Sequence, residues 1–211
     1  MKTKILAASI ALLGFSGSAI AQGYLGVGVV GGKMDLPGVS TTVSGVAVTG
    51  SADKTSDTGF KLFGGYNFTP NWGIELAYND LGNGYSAKGV ISTAPAVPFT
   101  VTGLKATNWT LAGVGTLPLS NEFSIFGKIG VAWNHANGGS VNAAGFNLGN
   151  GSDNRTSAMF GVGANFNFTK NWAARLEWED YGKATREDVW GTSGTGAAKA
   201  SAWTLSLKYS F

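Results

Sequence analysis

Large apolar residues alternate with polar or small ones over eight stretches of the chain, roughly 23–32, 57–68, 72–81, 105–117, 123–134, 156–168, 172–182 and 201–211. A period of two sustained over such lengths predicts β-strands. The large groups fall at Phe60, Leu62, Tyr66 and Phe68, then at Trp72, Ile74, Leu76 and Tyr78. The same parity recurs at Trp109, Leu111 and Leu117, and at Phe123, Ile125, Ile129, Val131 and Trp133. It continues through Phe160, Val162, Phe166, Phe168, Trp172, Leu176 and Trp178, and ends on Trp203, Leu205, Leu207, Tyr209 and Phe211. Residues two apart share a strand face, so each strand has one greasy side. The other side carries Lys61, Glu75, Lys128, Arg175, Glu177, Glu179 and Lys208 among Asn, Thr, Gly and Ala. Asp80, Lys105 and Asp180 break the parity, and all three sit at strand ends. Gly26, Gly28, Gly31 and Gly32 blur the alternation of the first strand.

The strands come in hairpins, and two of these are copies at an offset of 100 residues. Phe60–Gly82 reads FKLFGGYNFTPNWGIELAYNDLG, and Phe160–Gly182 reads FGVGANFNFTKNWAARLEWEDYG. A third, looser version surrounds Leu117–Phe123. Each is an alternating run, a short polar turn and a second run, which describes a tight β-hairpin. The connections 69–71, 118–122 and 169–171 are short, whereas those over about 33–56, 82–104, 135–155 and 183–200 are long and rich in Gly, Ser, Thr, Ala and Asn. Within the first long one, Val39–Val48 (VSTTVSGVAV) alternates again, which predicts a hairpin projecting beyond the main body with an edge able to accept a partner's strand.

Greasy-out, charged-in and greasy-in, charged-out arrangements have the same periodicity, so composition must choose between a membrane barrel and a soluble sandwich. Charged residues are 13% of the 211, about half the usual share, and glycine supplies 33. Apolar residues at 44% exclude a disordered chain. Beyond the N-terminus no run approaches the roughly 18 apolar residues of a spanning helix. A charge at a lipid-facing site near the membrane midplane costs about 2–4 kcal/mol, falling toward zero at the ends, which explains both the single parity of mid-strand charges and the three exceptions. The fold class is therefore an all-β, eight-stranded antiparallel up-and-down transmembrane β-barrel. Residues 1–21 read as a signal peptide, with Lys2 and Lys4, an apolar core Ile5–Phe15 and the small-residue site Ala19-Ile20-Ala21. The barrel domain is then 22–211, with 13 basic and 12 acidic residues and no basic patch for nucleic acid. Absence of cysteine excludes disulfides and thiol chemistry.

Short turns of such barrels face the periplasm and long loops face outward. Phe68, Trp72, Phe123, Phe168, Trp172, Tyr209 and Phe211 are then expected at the periplasmic membrane interface, and Trp109, Trp133, Trp178, Tyr181 and Trp203 at the external one.

These residues carry a resemblance to a known family. Phe63-Gly64-Gly65-Tyr66 leading into Gly73-Ile74-Glu75-Leu76-Ala77-Tyr78, together with Asp80-Leu81-Gly82, Leu117-Pro118, Ala174-Arg175-Leu176-Glu177-Trp178 and the closing Leu205–Phe211, resembles the OmpA transmembrane domain, with the small OmpX-type barrels as close relatives. The resemblance covers essentially all of 22–211. It implies an outer-membrane location in a Gram-negative bacterium, and contacts with outer-membrane lipid and lipopolysaccharide. It also implies a terminal signal for the barrel-assembly machinery, here Trp203, Leu205, Leu207, Tyr209 and Phe211. The periplasmic peptidoglycan-binding domain of OmpA is not expected, since the sequence stops at Phe211. OmpA-type barrels hold an interior salt-bridge cluster that can open a narrow pore. Glu75, Lys128 and Arg175 match its charged positions, but Val114 and Asn165 stand where the switching lysine and an acidic partner would be.

Lys61, Glu75, Lys128, Arg175, Glu177, Glu179 and Lys208 are expected to pair inside the barrel, because an eight-stranded barrel is filled by side chains and a stranded buried charge is costly. The expected role is a structural, surface-interacting monomer that presents four external loops to host or cell-surface ligands. A narrow pore is the alternative, and a lipid-modifying outer-membrane enzyme a more distant one. No catalytic residues or cofactors are expected. His135 stands alone without the serine of a lipid deacylase pair, and one histidine makes no zinc site. Glu177, Glu179, Asp180, Glu187 and Asp188 could meet calcium's oxygen preference, though their spacing matches no known loop. Gly26-x-Gly28-x-x-Gly31 lacks the strand and helix context of a dinucleotide site.

Overall fold

The computed structural model describes residues 22–36, 38–43, 45–137, 140–143, 146–147, 152–185 and 197–211. The expected signal peptide, Glu187 and Asp188 lie outside the described residues. The elements are β1 (Gln22–Asp35), β2 (Val39–Val43), β3 (Val46–Lys54), β4 (Ser56–Asn67), β5 (Trp72–Asp80), β6 (Tyr85–Ile91), β7 (Val97–Pro118), β8 (Phe123–Asn137), β9 (Ser140–Ala143), β10 (Phe146–Asn147), β11 (Ser152–Asn167), β12 (Trp172–Lys183) and β13 (Lys199–Ser210).

Eight of these strands close a ring. In order round the wall they are β1, β4, β5, β7, β8, β11, β12 and β13, each antiparallel to its neighbour, with β13 pairing back onto β1. Closure leaves no sheet edge in the wall, which is what a hydrocarbon surround demands of backbone polar groups. Parity decides what lines each side. Phe60, Leu76, Leu176 and Leu205 face outward with 43%, 48%, 50% and 63% exposure, whereas Lys61 and Glu177 are fully buried inside.

The repeated hairpins β4–β5 and β11–β12 occupy opposite arcs of the ring. Their turns are built identically. Thr69 Oγ1 accepts the Asn71 and Trp72 N–H groups at 3.3 and 3.0 Å, and Thr169 Oγ1 accepts those of Asn171 and Trp172 at 3.3 and 2.9 Å. The Asn71 and Asn171 amides reach the adjoining strands, donating to Thr116 O and Ser210 O at 3.0 and 2.8 Å. At the other end, Asp80 and Asp180 accept the N–H of Gly82 and Gly182, whose φ angles of +101° and +67° suit glycine.

The described parts of three long connections, over about 33–56, 82–104 and 135–155, are more ordered than their composition predicts. All ring strands except β5 run past the expected boundaries at their outer ends, and β2, β3, β6, the first part of β7, β9 and β10 form a second antiparallel sheet outside the barrel. The expected projecting hairpin is β2–β3, turning at Gly45 with φ +80°. Gly103, at φ +74°, lies where β7 passes from the outer sheet into the wall. Ala87, Phe99 and Val101 are buried on one face of this sheet against Leu36, Val48, Ile91 and Leu104, and Thr49, Ser51, Lys88, Thr100 and Thr102 are exposed. Unlike β2 and β3, strands β6, β9, β10 and the first part of β7 carry little sequence signal, because Thr, Ser, Ala and Gly give weak contrast.

Candidate functional site: the layered lumen

Four layers of side chains fill the barrel from the outer mouth to the periplasmic end. The outermost is apolar. Val30, Met34, Leu81, Tyr85, Met159 and Tyr181 are buried together among alanines, including Ala132, Ala198, Ala200 and Ala202. Small residues on one strand make room for large ones on the next, and Tyr85 donates to Leu81 O at 2.5 Å. This layer went unanticipated, and it corrects one expectation. Tyr181 is not an interface aromatic but wholly interior, with its hydroxyl donating to Glu179 Oε2 at 2.9 Å. The signal was present, since Tyr181 shares the parity of Glu177 and Glu179.

The second layer is ionic. Lys61 Nζ donates to Glu177 Oε1 at 2.7 Å and to Glu179 Oε2 at 2.6 Å. Lys128 Nζ meets Glu75 Oε1 at 2.6 Å, Glu179 Oε1 at 3.2 Å and Glu177 Oε2. Arg175 Nη1 donates to Glu75 Oε2 at 2.6 Å, and its Nε donates to Asn165 Oδ1 at 2.9 Å. Three carboxylates thus face three cations, and the cluster is neutral. Every member is buried, so the arrangement is held by mutual pairing rather than by water; removing one partner from such a set strands a charge. The three carboxylates lie within 4.8 Å of one another, but the ammonium and guanidinium groups already stand where a metal cation would.

The third layer sets aromatic rings beneath the ions. The Arg175 guanidinium carbon lies 4.4, 4.8 and 5.6 Å from the ring centres of Phe126, Phe63 and Tyr24, within cation–π range. Tyr24 also donates to Glu75 Oε2 at 3.0 Å. Glycine seats these rings: a Cβ on Gly65 would lie 2.2 Å from Tyr24 Cζ, and one on Gly26 would lie 2.2 Å from Phe63 Cζ. Phe63 and Phe126 have the parity of the charges, the one cue that they point inward.

The fourth layer is a polar vestibule behind the periplasmic turns, a cavity of about 290 Å³. Lys208 lies here, and it corrects a second expectation. Among the described residues no carboxylate forms an ion pair with it; its Nζ lies 5.3 Å from the centre of the Tyr24 ring.

Outside the wall, Phe68, Trp72, Trp109, Phe123, Trp133, Phe168, Trp172 and Trp203 are exposed, and Trp178 and Tyr209 are half-buried. Aromatic rings on this surface meet at tilted or edge-on angles, as in Trp172–Tyr209 at 4.9 Å, Tyr78–Trp109 at 5.2 Å and Phe160–Trp178 at 5.5 Å. Of the expected assembly segment, Trp203, Leu205, Leu207 and Phe211 are exposed on the same surface. Two of the parity-breaking charges, Lys105 and Asp80, pair with each other at 3.0 Å above this band. The calcium grouping does not form among the described residues, because Glu177 and Glu179 point inward and Asp180 outward. His135 Nδ1 contacts Asn154 Oδ1 at the external rim, part-exposed and with no serine partner among the described residues.

Residues 21–211 match the family described as OmpA-like transmembrane domain. Outer membrane protein A of Yersinia pseudotuberculosis is 28% identical over 180 residues, covering 85% of this chain and 48% of the relative, so the chain spans about half that protein's length. Among solved structures, OprG of Pseudomonas aeruginosa superposes with a TM-score of 0.54 at 13% identity, covering 92% of this chain and 98% of the other. Ail, the attachment invasion locus protein of Yersinia pestis, gives 0.52 at 17% identity, covering 91% and 99%.

Proposed function

From the premise that this chain belongs to the OmpA-like transmembrane domain family, whose members sit in the outer membrane of Gram-negative bacteria, we propose that it acts as a closed, non-enzymatic barrel that presents the outer sheet as an interaction surface. The observation that carries this reading is the filled lumen: an apolar layer lies directly on a neutral cluster of interlocked charges, and both are buried. A solute would have to part both layers at once. The working surface is therefore the part that projects, and loops mounted on a rigid wall are where recognition concentrates. Val39–Val43 of β2 pairs on one side with β3 and offers its other edge to a strand from a host or neighbouring-cell protein. The aromatic band anchors the wall in lipid and lipopolysaccharide, and the terminal run from Trp203 to Phe211 serves recognition by the assembly machinery.

Reconstitution in a planar bilayer tests the closed lumen. The expected result is small and infrequent conductance at most; steady porin-sized current refutes the closed lumen, and small but sustained current favours the narrow-pore alternative.

A further inference from the structure

We propose that the periplasmic vestibule is a binding site for a small oxyanion, with Lys208 as its principal charge. The argument begins with the charge count of the lumen. Glu75, Glu177 and Glu179 are matched by Lys61, Lys128 and Arg175, and Lys208 is left over. It stands in β13 opposite Gly26 and Ala173, one layer below the cluster. Lys208 and Arg175 both lie within 6 Å of the Tyr24 ring centre, so two cations stand close to one aromatic ring. A half-buried ammonium in such a place draws an anion.

The cavity above it suits one. It is lined by Lys208, Arg175 and Lys170, by the Ser124 hydroxyl and by the amides of Asn165 and Asn167, with no carboxylate in the lining. Ser124 Oγ accepts from Asn165 Nδ2 at 3.2 Å, so its own proton is available to donate inward. At about 290 Å³ the space holds a phosphate with several waters. Short hairpin turns rim it, so access is from the periplasm. The ligand class is a compact anion with a phosphate-like head, taken either as free phosphate or as the exposed headgroup of a phospholipid from the inner leaflet.

Titration of the full chain in nanodiscs, read by amide chemical shifts, tests this. Inorganic phosphate and glycerophosphoethanolamine are the two probes. Saturable shifts confined to Tyr24, Asn165, Ser124 and Lys208 are expected for phosphate, weakened about tenfold or more in Lys208→Gln, since a charge-assisted contact is lost. Lys88→Gln, on the outer sheet, leaves the titration unchanged. A stronger response to the headgroup than to phosphate assigns the lipid as source, and the reverse assigns the free ion. Shifts that stay linear in concentration, or that persist undiminished in a folded Lys208→Gln barrel, overturn the proposal. Lys208→Arg keeps the charge and retains binding, which separates loss of charge from loss of fold.

Discussion

Replacing Lys61 with Met removes two of the shortest contacts in the lumen, those to Glu177 and Glu179 at 2.7 and 2.6 Å. Three buried carboxylates then face Lys128 and Arg175 alone, and the cluster carries one uncompensated negative charge. Taking one partner from a buried ion pair costs about 3–5 kcal/mol. That range applies because both Glu177 and Glu179 are sealed from solvent. The double variant Lys61→Met with Glu179→Gln restores two carboxylates against two cations. The new amide oxygen still accepts the Tyr181 hydroxyl, which now bonds Glu179 at 2.9 Å. The double variant should therefore recover about 2–3 kcal/mol relative to the sum of the single changes, at the upper end of coupling between touching residues. Urea-driven reversible unfolding in lipid bilayers, with folded and unfolded forms separated on unboiled gels, reads all three free energies. A loss below about 1 kcal/mol for Lys61→Met, the size of a hydrated surface pair, refutes a dry cluster and with it the closed lumen.

Leu176, outward at the middle of β12 opposite Leu205, should lose about 2–4 kcal/mol on replacement by Arg, whereas Ser201→Arg at the external end of β13 should lose roughly 1 kcal/mol or less; equal costs in the same unfolding assay would contradict a membrane midplane between them. Asp57, above the external girdle, accepts the Gly84 and Asn83 N–H groups at 2.6 and 2.8 Å. Partial desolvation raises its carboxyl, but the Gly84 N–H, the Lys54 ammonium and the Asn83 N–H outweigh this and hold it down to about 2. Because the folded value is depressed, the tether's stabilisation is complete above about pH 4, the unfolded range, and is lost as pH falls toward 2. Hydrogen-exchange protection at Asn83 and Gly84 should drop across that window and become pH-insensitive in Asp57→Asn; unchanged protection in the native chain would dismiss the tether.

The wall of the barrel was legible because lipid enforces a rule on every residue that touches it. One parity must be apolar, and Phe60, Leu76 and Leu205 obey. The same rule names which charges point inward, but not their partners. Lys61 and Glu179 are 118 residues apart, and only closure of the ring brings them together. Inside, no medium enforces a pattern. Phe63, Phe126 and Tyr181 therefore read as membrane residues unless their parity is followed strictly, and alanine gives no sign that it cups Tyr85 or Met159. Lys208 follows the same logic: parity turns it inward, but parity does not supply it with a carboxylate. The outer sheet lies in water, where Thr and Ser serve either face equally, so its strands are specified by cross-strand pairing rather than by contrast along the chain.

The two copied hairpins place Glu75 and Arg175, residues at matching positions of the duplicate, in direct contact across the barrel axis. Two truly identical halves related by that axis would bring acid to acid or base to base at this point, a repulsion with no solvent to screen it. The twofold plan of the molecule therefore closes only because the copies have diverged. Lys61 reaches across to Glu177 and Glu179, while the matching Gly161, Ala77 and Asn79 offer no charge of their own. A Cβ at Gly161 would already crowd Glu179 Cγ at 2.9 Å. Broken symmetry at the centre is thus a condition of folding for a cylinder assembled from like parts, and recombining two copies of either half should yield chains that insert poorly.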